Sequence, residues 1–522
     1  MSRALHGGVQ PDSILSDKDK AKQASSLARG GGIAFIGHLL GRSLHFALQV
    51  LLTRVLGPWG YGLYSLGYSM LSIGERLSIA GLSQGTVMFG AEALARDAKS
   101  HLKGTLLASL IGGPAIGSIL ALILHLLSEF LSINVFHEPE LAPILRAFAW
   151  GLPFYSLVMM SAHCARALRR IDVEVAIARF AHPLLVVAVV AIAYLFGARL
   201  LGAVYGFVVS SAISGALGIL LLFRLFPDLL SSLSPRIELR RFLLYSLTVT
   251  FSGLSLVIVS RTDRIMLGAM KAAEEVGIYN AAAAIGIQAS IFLVSLTAIF
   301  APTAADLYHR GLTRELAQTL KTTSRWILTL TLPVGAILCL FASQVMVVFG
   351  REFSVGAPAL ISLALAHMIN GAVGPVGVVL TMSGHHRLSL LNNVTLSVVN
   401  VVLNLLLIPR WGFLGAAIAT ASSVTLVNLV RLFEVYYLFR FHPFGHSSWK
   451  PLAATLASCG VWLIVRQVVH PSGFWWVVPA IGTMLVYLCA LLLFRLEEGD
   501  KALLADVKSR LTRCNRSGRE QT

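Results

Sequence analysis

Apolar residues run along this chain in long blocks, interrupted by short polar or Gly- and Pro-containing turns. A hydrocarbon core ~30 Å thick is crossed by about 20 mostly apolar helical residues, each rising about 1.5 Å. Fourteen blocks reach that length. They predict transmembrane helices near 31–54, 62–84, 104–130, 142–164, 174–196 and 201–223, and again near 242–260, 278–301, 326–349, 356–382, 388–408 and 413–439, with a last pair near 451–469 and 473–494. The polar remainder organises these into a cytoplasmic tail (1–30), a six-helix lobe (31–225), a cytoplasmic linker (226–241), a second six-helix lobe (242–440), an extra hairpin (450–494) and a cytoplasmic C-terminal tail (495–522). The expected fold is an all-α integral membrane protein with about 14 transmembrane helices.

Composition agrees. The 522 residues are 56% hydrophobic and 13% charged, with a mean hydropathy of +0.76, which excludes a soluble globular chain and a disordered one. A net charge of +17 would raise nucleic acid as a partner in a soluble protein. Here the even-numbered loops and both tails hold 29 of the 42 Lys and Arg, so the excess follows topology and attraction to anionic inner-leaflet lipids. Residues 1–30 lack the apolar core of a signal peptide, so the first helix is expected to be retained, with both termini cytoplasmic. The five cysteines are scattered and show no metal-ligand or disulfide spacing. No phosphate-cradling loop, HExxH or G-x-S-x-G context is present, and no loop is long enough for a soluble catalytic domain. The reading is therefore of a protein that is not an enzyme and uses no cofactor, metal or nucleic acid. Any uphill transport would draw on an ion gradient, the membrane potential or the substrate gradient.

Two echoes suggest an internal duplication. Gly62-Leu63-Tyr64 recurs as Gly277-Ile278-Tyr279 at an offset of 215, and Leu201-Gly202-Ala203 recurs as Leu414-Gly415-Ala416 at 213. Six helices used twice give parallel repeats, an arrangement that places transporter sites near the midplane between halves. Chance similarity among Gly-rich turns is the alternative.

Charged groups at mid-span cost about 2.5–3.5 kcal/mol each on insertion scales, so they mark protein interiors or aqueous cavities. On the first helix His38, Arg42, His45 and Gln49 share one face at i, i+4, i+7 and i+11. The donor fork of Arg42 suits phosphate, with an interhelical ion pair as the alternative. On the second helix Tyr61, Ser65, Ser69, Ser72 and Arg76 repeat the spacing beside Glu75, which either pairs structurally or couples to an ion. Arg179 and His182 precede Pro183, which is expected to bend the fifth helix; snorkelling of Arg179 is the alternative. Tyr245, Thr248, Ser252 and Ser255 lead to Arg261, Asp263 and Arg264, which either cap an interface or line an outer cavity mouth together with Arg54. Asn393, Ser397, Asn400 and Asn404 form a stripe suited to helix packing or sugar contacts. His367 and Asn370, before Gly371 and Gly374-Pro375, mark a hinge, and Arg431 with Glu434 suggests a structural ion pair. Gly113-xxx-Gly117, Gly81-xxx-Gly85 and Gly202-xxx-Gly206 indicate close helix packing.

The segments LLTRVLGPWGYGLYSL (51–66), DRIMLGAMKAAEEVGIYNAA (263–282) and IPRWGFLGAAIATASS (408–423) resemble motifs of bacterial polysaccharide-transporter flippases. These form part of the multidrug, oligosaccharidyl-lipid and polysaccharide (MOP) exporter superfamily. The resemblance, spanning roughly 30–440, implies two six-helix lobes in a V around a cavity that opens alternately to each side. It implies a bacterial inner-membrane location and a polyprenyl-pyrophosphate-linked oligosaccharide as cargo, carried outward for exopolysaccharide, capsule or O-antigen assembly. Polysaccharide polymerase and other assembly-pathway membrane proteins are the partners it implies. Arg42, Arg76 and Arg179, with His38, His45, Arg54 and Arg264, are the candidate substrate-binding residues, and Glu75 and Asp263 are candidates for ion coupling or charge pairing. These assignments come from depth and periodicity, since the motifs do not include Arg42, Arg76 or Arg179. Two other readings stay open: an ion-coupled small-molecule or drug exporter of the same superfamily, and a membrane-embedded polysaccharide polymerase or ligase. The excess of intramembrane Arg and His over carboxylates favours an anionic cargo, and no external loop suits the catalytic residues of a polymerase.

Overall fold

The computed structural model describes the backbone of residues 17–79, 81–467 and 473–494, with side chains over 40–79, 81–249, 261–467 and 475–494. Among the described residues every regular element is helical. The first half contains α1 (Asp17–Ser78), α2 (Leu82–Ala95), α3 (Lys99–Phe130), α4 (Leu141–Ala167), α5 (Ile171–Leu195), α6 (Leu200–Leu225) and α7 (Leu239–Met270). Then follow α8 (Ala273–His309), α9 (Thr313–Leu340), α10 (Arg351–Val373), α11 (Val376–Met382) and α12 (His386–Phe439). The chain ends in α13 (Trp449–Val465) and α14 (Val477–Leu493). Among the described residues, eight helices are long and apolar enough to cross a membrane, namely α3 to α6, α8 to α10 and α12. Outward side chains such as Ile119, Leu122 and Leu126 are 60–70% exposed, as lipid-facing positions must be. The protein is a helical, multi-pass membrane protein.

Two helices are too long to be single spans. The 62 residues of α1 would extend about 93 Å if straight, and the 54 residues of α12 about 81 Å, against a core of ~30 Å. Each breaks at a glycine. Gly57 adopts φ 67° and ψ −179° just before Pro58, and Gly412 adopts φ 54° and ψ −131° three residues after Pro409. A positive φ carries no Cβ penalty at glycine, and proline removes the donor that would continue the ladder. Both breaks fall in the turns expected between adjacent apolar runs.

The ends of the elements differ from the expected runs. Helix is already present from Asp17, inside the stretch expected as a tail, while residues 1–16 and the C-terminal tail 495–522 lie outside the described residues. The second apolar run stops at Ser78 rather than 84. Gly81 there has φ 62°, and a Cβ on it would come within 1.7 Å of the Ser246 carbonyl oxygen. The tenth run divides at Gly374-Pro375 into α10 and α11, as the hinge reading anticipated; Gly374 has φ 72°.

The chain packs as two compact units that cut across its linear order. The first takes the described residues up to Leu48, Gly74–Leu124 and Ala147–Thr250; the second takes Gln49–Ile73, His125–Arg146 and the described residues from Phe251 onward. In lipid, helices associate through close packing and hydrogen bonds rather than through a hydrophobic driving force, which favours small residues at contacts. The first unit is built this way. A Cβ on Gly113 would lie 2.6 Å from Met160, one on Gly117 2.9 Å from Ser156 and one on Gly218 2.3 Å from Ser161. The second unit centres on Phe300, Leu316, Leu320, Val376, Leu380 and Val435. The hairpin of α13 and α14 belongs to it. The Tyr487 hydroxyl donates to the Thr329 carbonyl at 2.8 Å, and Phe341 meets Trp462 with ring centroids 4.6 Å apart.

Candidate functional site

The candidate side chains fall into two clusters, one within each unit. In the first unit, α1 meets α5 at Gly41, where a Cβ would come within 2.9 Å of the Arg179 carbonyl oxygen and 3.3 Å of the Arg179 Cβ. That approach brings the turn carrying Arg42 against the turn carrying Arg179. Arg179 lies in a π-helical stretch, Val175–Ala181, that ends where Pro183 enters the chain. Such stretches relieve the missing proline donor and redirect side chains, and they recur at functional positions. His182 is buried, 3.1 Å from the Ser211 hydroxyl and flanked by Tyr155 and Phe207 at 5.1 and 5.4 Å between ring centroids. His45, exposed on α1, lies within electrostatic range of it.

His163 on α4 is a member of this cluster that the periodicity did not single out. Its Nδ1 is buried with no hydrogen-bond partner, and Arg76, Arg166, Arg179 and Glu174 all lie within its electrostatic range. Glu174, 6% exposed, binds Arg166 through both carboxylate oxygens. Glu75, 5% exposed, sits 3.6 Å from the guanidinium of its own neighbour Arg76, whose side chain is 64% exposed. The result is a convergence of half-buried and exposed cations on α1, α4 and α5. His38, the remaining member of the expected stripe, has a side chain outside the described residues.

The second unit holds a denser network around Asp263. Asn404 donates to Asp263 Oδ1 at 2.8 Å, while the Tyr279 and Thr420 hydroxyls donate to Oδ2 at 2.7 Å each. Asn404 also donates to Asn400 Oδ1 at 3.1 Å, and its own Oδ1 is buried without a hydrogen-bond partner. All three contacts to Asp263 donate, so the single negative charge is met by an amide and two hydroxyls, and Asn404 Oδ1 is the acceptor left over. Among the described residues no three His, Cys, Asp or Glu come together as a metal site would require. Arg264 donates through Nε to Asn280 Oδ1 at 2.5 Å. Arg54 is turned elsewhere in this unit, donating through Nε to the Val348 carbonyl and through Nη2 to the Val347 carbonyl, both at 2.9 Å.

Several expected groupings are rearranged. Tyr61 and Ser65 meet Asn280, and Ser69 and Ser72 donate to carbonyls of their own helix, so this stripe packs within the second unit while Arg76 belongs to the first. Ser252 and Ser255 have side chains outside the described residues. Arg431 and Glu434 lie within electrostatic range of each other but make no close salt bridge. Arg431 donates to Asn393 at 2.9 Å and Glu434 accepts from Asn392 at 2.6 Å, because the two limbs of α12 face each other and offer amides at closer range. The Asn stripe thus divides between Asp263 and Arg431, and Asn370 at the hinge accepts from Asn428 at 2.9 Å.

The helices thus carry a basic cluster in the first unit and a hydrogen-bonded carboxylate in the second. A family model described as polysaccharide biosynthesis protein matches residues 27–307, more than half of the chain, and the chain belongs to that family. No curated protein sequence matches it. Among solved structures, it resembles the lipid II flippase MurJ in an inward closed conformation, with a TM-score of 0.71 at 15% identity over 88% of this chain and 98% of that one. An inward-facing multidrug resistance MATE transporter gives 0.64 at 14% identity over 78% and 98%. A MOP-superfamily transporter from Pyrococcus furiosus, described as having a binding pocket of reverse polarity, gives 0.55 at 16% over 80% and 95%. These likenesses establish the fold as that of MOP-superfamily transporters.

Proposed function

We propose that this protein is a flippase that moves a polyprenyl-pyrophosphate-linked oligosaccharide from the inner to the outer leaflet of a bacterial inner membrane by alternating access. The product would feed exopolysaccharide, capsule or O-antigen assembly, with polymerase and other pathway membrane proteins downstream. The observation that carries this reading is the close approach of α1 to α5 at Gly41, the residue before Arg42, beside Arg179, with Arg76 and Arg166 nearby around His163. At 4 Å and an effective dielectric of 20, each such cation attracts a phosphate charge by on the order of 4 kcal/mol before desolvation. Arg76 adds a third guanidinium to the set. Membership of a polysaccharide biosynthesis family supports a glycan cargo. Both termini are placed in the cytoplasm on the distribution of Lys and Arg.

Asp263 is the ion-responsive group in this account, because it is a single carboxylate held by an amide and two hydroxyls, donors that a proton or a monovalent cation would displace. That cluster also fits the second reading, an ion-coupled small-molecule exporter, a class in which likeness to a multidrug transporter fold supplies precedent. Depletion of the protein separates the two. Accumulation of a polyprenyl-pyrophosphate oligosaccharide on the cytoplasmic face, reversed by the wild-type gene, is expected for the flippase. A glycolipid that reaches the outer face unpolymerised would point to polymerase or ligase activity, and altered drug sensitivity with normal glycolipid would point to export.

A further inference from the structure

Asp263 and Arg264 are consecutive on α7, and Tyr279 and Asn280 are consecutive on α8. They pair as two rungs, Asp263 with the Tyr279 hydroxyl at 2.7 Å and Arg264 with Asn280 Oδ1 at 2.5 Å. Consecutive helical side chains diverge by about 100°, so the rungs face different neighbours. The Asp263 rung faces α12 through Asn404 and Thr420. The Asn280 rung faces the second limb of α1, donating from Nδ2 to the Tyr61 hydroxyl at 2.6 Å and to the Ser65 hydroxyl at 3.1 Å. A third contact from α7 reaches the same limb, where the Arg261 guanidinium lies over the Tyr68 ring at 5.4 Å.

The backbones at this crossing touch. A Cβ on Gly62 would come within 1.7 Å of the Ala273 carbonyl oxygen, and one on Gly277 within 2.0 Å of the Pro58 carbonyl oxygen. With the chains in such contact, the α1 limb cannot slide along α8 without breaking the fork that Asn280 makes to Tyr61 and Ser65. We propose that Asn280 is a positioning residue that transmits the charge state of Asp263 to the second limb of α1. The inference rests on the reading of Asp263 as the ion-responsive group. A proton or cation at Asp263 cancels the anion beside Arg264 and Arg261, changes how firmly Arg264 holds Asn280 Oδ1, and so changes the fork on Tyr61 and Ser65. The charged and titratable groups around Asp263 are Arg261 and Arg264 on its own helix and Tyr279 on α8; α12 contributes amides and a hydroxyl.

The test is hydrogen exchange, read by mass spectrometry, on the full-length protein in lipid nanodiscs. Na⁺ is exchanged for N-methylglucamine and, separately, neutral buffer for acidic. In the wild type, exchange should change both at 400–420 and at 58–66, the latter by about tenfold, within the usual range of intramolecular coupling. In Asn280→Ala the response at 58–66 should fall below about twofold while that at 400–420 persists. Tyr61→Phe, which keeps the ring and removes the hydroxyl that accepts from Asn280 and bonds Ser65, should give an intermediate response and guards against misfolding of the first variant. Full responses at 58–66 in both variants, or a wild-type response confined to 400–420, would overturn the relay alone. Absence of any response at 400–420 would overturn the reading of Asp263 and the relay with it.

Discussion

The two polar clusters are built from similar residues and end in opposite states. In the second unit, Asp263 accepts three hydrogen bonds, Asn280 bridges Arg264 to Tyr61 and Ser65, and Arg54 is spent on two peptide carbonyls. In the first, Arg179 and His45 are exposed, the Arg76 side chain is 64% exposed beside a buried Glu75, and the His163 ring nitrogen has no hydrogen-bond partner. Satisfied networks hold helices in one arrangement and respond together to a change in charge. Exposed cations of one sign are poised for an anion from outside the protein. The contrast supports the proposal of binding at the first cluster and coupling at the second.

The largest expected effect is at Arg42. Arg42→Ala should lower transport by about a hundredfold with expression intact, since a net loss near ~3 kcal/mol is two decades, whereas Arg42→Lys should retain part of the activity. Comparing flipping rates at equal membrane content checks this; equal rates would remove Arg42 from the site. Next is Asp263→Asn, which preserves shape but removes the charge and replaces one accepting oxygen with a donating NH2. Transport should fall by about tenfold and lose its dependence on Na⁺ or pH, as the ion response of initial rates would reveal. A retained ion response would move coupling away from this cluster.

Gly41→Ala is the sharper test of geometry in the first unit. Its methyl would sit 2.9 Å from the Arg179 carbonyl, an overpacking cost of about 1–3 kcal/mol that separates α1 from α5. Transport should drop roughly fivefold or more without loss of any charge. The smallest effect is expected at Arg54→Ala. Losing two side chain to carbonyl bonds at an exposed position should cost about 1–2 kcal/mol of stability, visible as a lowered unfolding temperature in detergent. A transport defect as deep as that of Arg42→Ala at unchanged stability would place Arg54 with the binding residues instead.

The helices were legible because an apolar run of some 20 residues in a lipid setting has few alternatives to a helix. The breaks at Gly57, Gly374 and Gly412 were legible for the same local reason, as glycine beside or near proline. Periodicity also placed Arg42, Asp263, Asn400 and Asn404 on polar faces. It could not show which partner each face meets. Arg431 and Glu434 share a turn, yet each binds an asparagine from the other limb of α12, a contact set by the fold of that helix at Gly412. His163 went unnoticed because it is a single polar residue in an apolar run, and its meaning comes from cations on other helices. Gly41 and Asn280 carry no charge, and although Asn280 lies within the 263–282 segment, the contacts of both exist only at crossings between distant segments.

The central claim is that the cation set on α1 and α5 carries a lipid-linked pyrophosphate across the membrane. It is tested most directly in proteoliposomes holding the purified protein and a polyprenyl-pyrophosphate oligosaccharide with a labelled sugar. Transfer between leaflets is followed by loss of label to a membrane-impermeant sugar oxidant. The account predicts that wild-type protein exposes the inner pool, Arg42→Lys does so more slowly, and Arg42→Ala leaves it protected as in protein-free vesicles. Equal exposure by wild type and Arg42→Ala would contradict it.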